Sequence, residues 1–243
     1  MKKYGKLPVR HDERSLMFST YSAGLPTPPV STNHLQTVFN NLKTNNIAKL
    51  FPMLGNDQYG DCTIAGLAHL ITLYNGLIGV KKIPSKSSVL TLYKKLTGGP
   101  DTGLNELDVL NYICKNSFDG EKTPNYVTIK DHTNHLEVKQ AISLVGGIYI
   151  GMNVQENAET DFDAHKTWTP GKLTGDDHCV VIVDYDDTTL TILTWGGLIL
   201  GTWDWFDCTC DEIHPILPLE AKNIKFNPQF PYDQLVKDLS LIK

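Results

Sequence analysis

The apolar pattern of this chain changes character once, close to residue 146. After Cys62, apolar residues fall at Ile64, Leu67, Ala68, Ile71 and Tyr74, in steps of three and four. That is helical periodicity, and Asn75-Gly76 marks its end. "TNHLQTVFNNL" (32–42), "SVLTLYKKL" (88–96), "NELDVLNYICKNS" (105–117) and "LEVKQAISLV" (136–145) read as further helices. Asn105 and Thr102 are both candidate caps for the third of these. From Gly147 onward the runs are short and continuous or alternating, which is strand patterning. They are "GIYIGMNV" (147–154), "HCVVIVDYD" (178–186), "TLTILTWG" (189–196), "LILGTWDWF" (198–206) and "DEIHPILPL" (211–219), with Asp186-Asp187-Thr188 as a hairpin turn. Helices first and strands second predict an α+β domain with a cleft between its halves. The expected division is an extended, proline-containing arm (1–27), a mainly helical half (28–135), a β-rich half (136–219) and a C-terminal tail (220–243).

Size and charge narrow the function classes. The chain has 243 residues, enough for one large domain with a small appendage. Its 41% hydrophobic content supports a sizeable core. A net charge of -5 with no basic run argues against nucleic acid as the partner. No apolar run approaches the length that spans a bilayer, and "MKKYGKLPVRHDERS" has no apolar stretch of the secretory kind. Five cysteines at irregular spacing do not form a disulfide framework, so a reducing, cytoplasmic compartment is expected. The arm, rich in proline and turn formers, is expected to wrap the domain or to reach a partner.

Cys62 stands where the polar turn "NDQYGD" (56–61) becomes a helix. Unsatisfied N–H groups and the helix dipole favour an anion there, which lowers a thiol pKa. A nucleophilic thiol also needs a base. His69 lies seven residues along the same helix, roughly 10 Å away at 1.5 Å per residue, and cannot serve. His178 opens an apolar strand directly after the polar "GDD" (175–177), so its ring can face a cleft from rigid support. Cys208-Thr209-Cys210 with His214 is too small a set for a closed zinc site. "DYDD" (184–187) reads as a turn rather than a calcium loop. No metal or cofactor is expected, and Trp195, Trp203, Trp205 and Phe206 read as core packing.

These motifs resemble the papain-like cysteine peptidase superfamily over roughly residues 28–218. "NDQYGDC" followed by a helix is similar to its active-site turn. "GDDHCVVIVDYDD" is similar to its histidine strand, and "LTWGGLILGTWDWF" to its later Trp-Gly segment. Within the superfamily the likeness is closest to uncharacterised bacterial and phage proteins that share "NDQYGDC". The resemblance implies Cys62 as nucleophile and His178 as general base. It places the oxyanion-binding amide at Asn56, with Gln58 as the other candidate, and Trp195 as the tryptophan that shields the triad's third member. Two positions depart from the family pattern. Thr63 replaces a common tryptophan. Leu193 stands where an asparagine should orient the histidine, which leaves that role to Thr194, through its hydroxyl, or to Asp184.

Two functions follow from this resemblance. One is a thiol hydrolase acting on a peptide or isopeptide bond of a peptide or protein substrate. The other is a weakly active or inactive papain-fold structural or binding protein, such as a phage virion component, holding a neighbour through its arm. The location is then the host cytoplasm or the virion.

Overall fold

The structure is a computed structural model and describes residues 2–121, 125–217 and 229–242. Its first half is helical: α1 (Ser19–Ser22), α2 (His34–Leu42), α3 (Ile47–Leu50), α4 (Cys62–Leu77), α5 (Lys86–Thr97) and α6 (Glu106–Ile113). The short β1 (Asn125–Tyr126) and α7 (His135–Val145) lead into the sheet strands. These begin with β2 (Ile148–Gln155), and α8 (Ala158–Asp163) follows. Next come β3 (Leu173–Tyr185), β4 (Thr189–Thr194) and β5 (Gly197–Thr202), then α9 (Trp203–Thr209), β6 (Cys210–His214), β7 (Ile216–Leu217) and α10 (Tyr232–Ile242). The fold class is α+β, as the pattern change near residue 146 implies.

Five antiparallel strands form the main sheet in the order β5-β4-β3-β2-β6, and β1 pairs with β7 in a separate ribbon. β3 is central, so both of its faces are covered, and its apolar run is continuous for that reason. Cys179, Val181 and Val183 face a core built with α4, α5 and α6. Val180 and Ile182 face the opposite core, with α7 and the aromatic side chains of α9. α4 is buried on nearly every side. It approaches the sheet at Gly66, where an added Cβ would lie 3.1 Å from the Tyr149 ring and 3.2 Å from Cys179 Sγ. The Tyr149 hydroxyl donates to the Thr63 carbonyl at 2.7 Å and ties the start of α4 to β2.

Local chemistry accounts for the boundaries. Asn105 Oδ1 accepts from Leu107 N at 3.0 Å, so Asn105 caps α6. "LILGTWDWF" is not one strand. Thr202 Oγ1 accepts from Trp205 N at 3.1 Å and starts α9 at Trp203. The Trp203-Asp204-Trp205 alternation imitates a strand, but the cap decides. The arm runs along the domain, with single parallel bridges at Lys6–Leu104 and Met17–Thr128 and a fully buried Phe18. In the tail, α10 packs Leu235 into the core, and the Tyr21 hydroxyl donates to Asp238 at 2.8 Å. Pro218, Leu219 and tail residues 220–228 lie outside the described residues. Among the described residues no helix is long and apolar enough to cross a membrane.

Candidate active site

The turn before α4 is built on unusual backbone. Leu54 (φ 59°) and Gly55 (φ 121°) reverse the chain, and Asn56 Nδ2 closes the turn by donating to the Tyr59 carbonyl at 3.1 Å. Asp61 occupies the N-cap position without a side-chain cap bond, and burial pushes its carboxyl up to about 7. Cys62 is the first residue of the helix and is 2% exposed. Burial pushes its thiol up to about 12, helped by the carboxyls of Asp61 and Glu106. The backbone N–H groups of Cys179 and Gly5 pull the other way. Cys179 follows His178 on β3, but among the described residues the His178 ring and Cys62 Sγ form no hydrogen bond with each other.

His178 sits on β3 and is equally buried. Its Nε2 lies 2.8 Å from Thr194 Oγ1, while its Nδ1 is buried without a partner. The tautomer in which Nε2–H donates to Thr194 leaves Nδ1 as a bare acceptor. Burial pushes the imidazole down to about 3, so it is neutral here. The ring stacks on Trp195 with centroids 4.8 Å apart and planes at 22°. Trp195 (φ 44°) and Gly196 (φ 73°) form the two-residue turn between β4 and β5, with Thr194 paired to Gly197. Positive φ at both turn positions matches the strand twist of a tight hairpin. That turn presents the indole to His178.

Strand alternation explains the departure at Leu193. Its side chain joins the core on the α4 face, and the next residue, Thr194, points to the face that carries His178. Asp184 is not brought to His178. It lies six residues along β3, about 20 Å at the usual strand rise. Its carboxylate accepts from His34 N (2.7 Å) and Leu35 N (3.1 Å), capping α2. Gln58 is exposed, and its amide donates to Asp57 at 3.4 Å. Asn56 is buried, and its Nδ2 donates at 3.1 Å to the carbonyl of Lys3. His69 is a buried helix histidine held by the Pro52 carbonyl at 2.8 Å.

The arm crosses this site. Lys3 N donates to the Asn56 carbonyl at 3.0 Å, and Leu104 N donates to the Gly5 carbonyl at 2.8 Å. The Tyr4 ring meets His178 edge-on at 5.7 Å, and its hydroxyl donates to Glu159 at 2.9 Å. Gly5 lies against Gly60 with no room for a Cβ. Lys2 pairs with Asp163, and its ammonium stands 5.4 Å from the Trp195 ring centroid. Adjacent residues of one segment, Tyr4 and Gly5, therefore lie by His178 and by the turn that leads into Cys62. The sequence pattern singled out Cys62 and His178 as candidates and did not single out Tyr4 and Gly5, which come to this place only through contacts with distant residues.

Comparison with solved structures places the whole architecture. Xylellain, a cysteine protease from Xylella fastidiosa, superposes with a TM-score of 0.64 at 14% identity, over 90% of this chain and 98% of that one. The chain has the papain-like fold. Procathepsin B S9 from Trypanosoma congolense gives 0.54 at 14% identity, over 89% and 86% of the two chains. The Carica candamarcensis cysteine protease CMS1MS2, solved with E-64, gives 0.52 at 14% identity, over 78% and 99%. No family model matches the sequence, and no curated protein matches it. Within the papain-like fold, Cys62 begins the helix that packs against the central strand, and His178 lies on that strand.

Proposed function

We propose that this chain is a papain-like thiol hydrolase acting on a peptide or isopeptide bond, held closed by its own arm. The observation that carries the reading is the arrangement around His178. Thr194 holds Nε2, Trp195 covers the ring, and Nδ1 is left unpartnered on the central strand against which the Cys62 helix packs.

In this reading the Cys62 thiol gives its proton to His178 Nδ1, and the thiolate adds to the substrate carbonyl carbon. The negative oxygen is held by Asn56 Nδ2 and the backbone N–H of Cys62. That Asn56 Nδ2 already binds a peptide carbonyl, that of Lys3, supports this role. The C–N bond then breaks, and the leaving amine takes the proton from His178. Water, deprotonated by His178, hydrolyses the thioester and returns Cys62. Thr194 is the positioning residue for His178.

With the arm in place, a thiol near 12 and an imidazole near 3 keep the proton on sulfur. Displacing Tyr4 and Gly5 admits water, which removes the burial that sets both values. The test is alkylation of Cys62 by iodoacetamide across pH, read by mass spectrometry, in the full chain, in Gly5→Ala and in Gly5→Ala with His178→Ala. The expected result is slow reaction in the native chain and fast reaction near neutral pH in Gly5→Ala, with the advantage lost on removing His178. The buried, neutral pair also favours a second reading, a papain-fold binding or structural protein whose arm never leaves. An inert Cys62 in Gly5→Ala selects that reading.

A further inference from the structure

Lys6 is an arm lysine, yet its side chain is wholly buried. Its Nζ lies 2.8 Å from Asp211 Oδ2 and 3.1 Å from Glu212 Oε1. Glu106 and Asp177 also act on it through charge. Burial alone would lower the Lys6 pKa, but Glu106, Glu212 and Asp211 together hold it well above the ordinary lysine range. Strand β2 is notched at Gly151 to admit the stem, since a Cβ there would overlap Lys6 Cε. Below the ammonium, Glu106 is fully buried and neither of its oxygens accepts a hydrogen bond. Its Oε2 is 4.0 Å from His214 Nε2, which lies 3.1 Å from Glu212 Oε2. Asp211 Oδ1 is likewise buried and unpartnered. One ammonium thus faces four acidic side chains in a pocket one residue along the arm from Gly5, which lies by the turn that leads into Cys62.

We propose that this pocket, filled here by Lys6, binds a cationic side chain of the substrate, so that the chain selects lysine or arginine beside the bond it cleaves. The inference deepens the hydrolase reading and rests on it. A buried acid left without its cation is strongly unfavourable. When the arm leaves, the pocket therefore demands a replacement cation, and a substrate side chain entering with its backbone in the cleft supplies one. A neutral side chain would leave Asp211 without its ammonium and buried Glu212 with His214 alone. Glu106, Glu212 and His214 could together attract a divalent ion, since one ligand atom from each lies within 4.8 Å of the others. The ammonium that pairs with Glu212 in this structure favours the organic cation.

The test does not require catalysis. Thermal melting of full-length Lys6→Ala is followed with n-butylammonium, with n-butylguanidinium, with neutral n-butanol, and with zinc or calcium. The pocket reading expects the alkyl cations to raise the Lys6→Ala midpoint by about 2–4 °C or more. Butanol should have no such effect, and neither should either cation on the native chain or on Lys6→Ala with Gly151→Val. Equal response to butanol, response to metal alone, or no response overturns it. Should Lys6→Ala fail to fold, Lys6→Arg and Lys6→Met decide. Arg is expected to melt close to the native chain and Met well below it, whereas Met at or above native overturns the proposal. In Gly5→Ala, fluorogenic peptides with Lys or Arg beside the scissile bond should be cleaved about tenfold faster than their leucine counterparts. Cation rescue without any cleavage or Cys62 reactivity rejects the hydrolase reading alone, and cleavage without cation rescue rejects the pocket alone.

Discussion

Gly5 lies flat against Gly60, backbone to backbone, with Gly60 two residues before Cys62. A methyl group on Gly5 would run into the Gly60 carbonyl, and backbone cannot swing aside as a flexible side chain can. Such overpacking costs about 1–3 kcal/mol. Spent on arm docking, it multiplies the arm-open population by roughly five to a hundred and fifty. Gly5→Ala should therefore raise the alkylation rate of Cys62 by about that factor while the domain's melting temperature changes little. Equal rates in the two chains would show that the arm does not gate the thiol.

The Thr194 hydroxyl is the only hydrogen-bond partner of the His178 ring among the described residues. Thr194→Val keeps the shape and removes the hydroxyl. In the Gly5→Ala background it should lower Cys62 reactivity near neutral pH by about tenfold to a hundredfold, part of what a positioned base contributes. The pH at which reactivity appears should move upward, a change that simple loss of packing would not cause. Thr194→Ser should restore the native profile. An unchanged profile in Thr194→Val removes Thr194 from the positioning role.

Much of this site was legible because its parts carry local signals. A polar turn running into 3–4 periodicity marks Cys62, and a polar-to-apolar switch marks His178. The choice between Thr194 and Asp184 was not legible, because it depends on which strand face each occupies and on Asp184 being taken by α2. "LILGTWDWF" misled because strand alternation and a one-residue cap coexist in it, and the cap at Thr202 won. Gly5 and Lys6 were invisible for a different reason. Nothing local distinguishes them, and their partners, Gly60, Gly151, Asp211 and Glu212, lie far along the chain.

Asp184 offers a way to separate structure from chemistry. Asn33 makes no side-chain cap bond at the start of α2, and Asp184 supplies the acceptor from a distant strand. Asp184→Ala should cost about 0.5–2 kcal/mol of stability, the range for losing a helix cap. It should leave the pH profile of Cys62 alkylation in Gly5→Ala where it was. A shifted profile would return Asp184 to the catalytic group.

Acid should act on the closed form through its buried histidines. His178 falls from an ordinary 6.5 to about 3 and His69 to about 4, both through burial. The unfolded chain therefore binds more protons than the folded one between each lowered value and 6.5. Their contribution is complete above 6.5 and is lost as pH falls through that window, by about 1.4 kcal/mol per pH unit for each histidine. Asp61, raised to about 7 from 3.8, has the opposite sign, since its protonated form is the buried one and stability from it declines as pH rises across that range. Subtraction isolates the histidine. The stability difference between the native chain and His178→Gln, measured by urea unfolding at pH values from 4 to 6.5, cancels Asp61 and His69. The native chain should lose stability relative to His178→Gln as pH falls, with a slope near one proton. A flat difference would mean that His178 is already hydrated in the folded chain and that the arm does not seal the site.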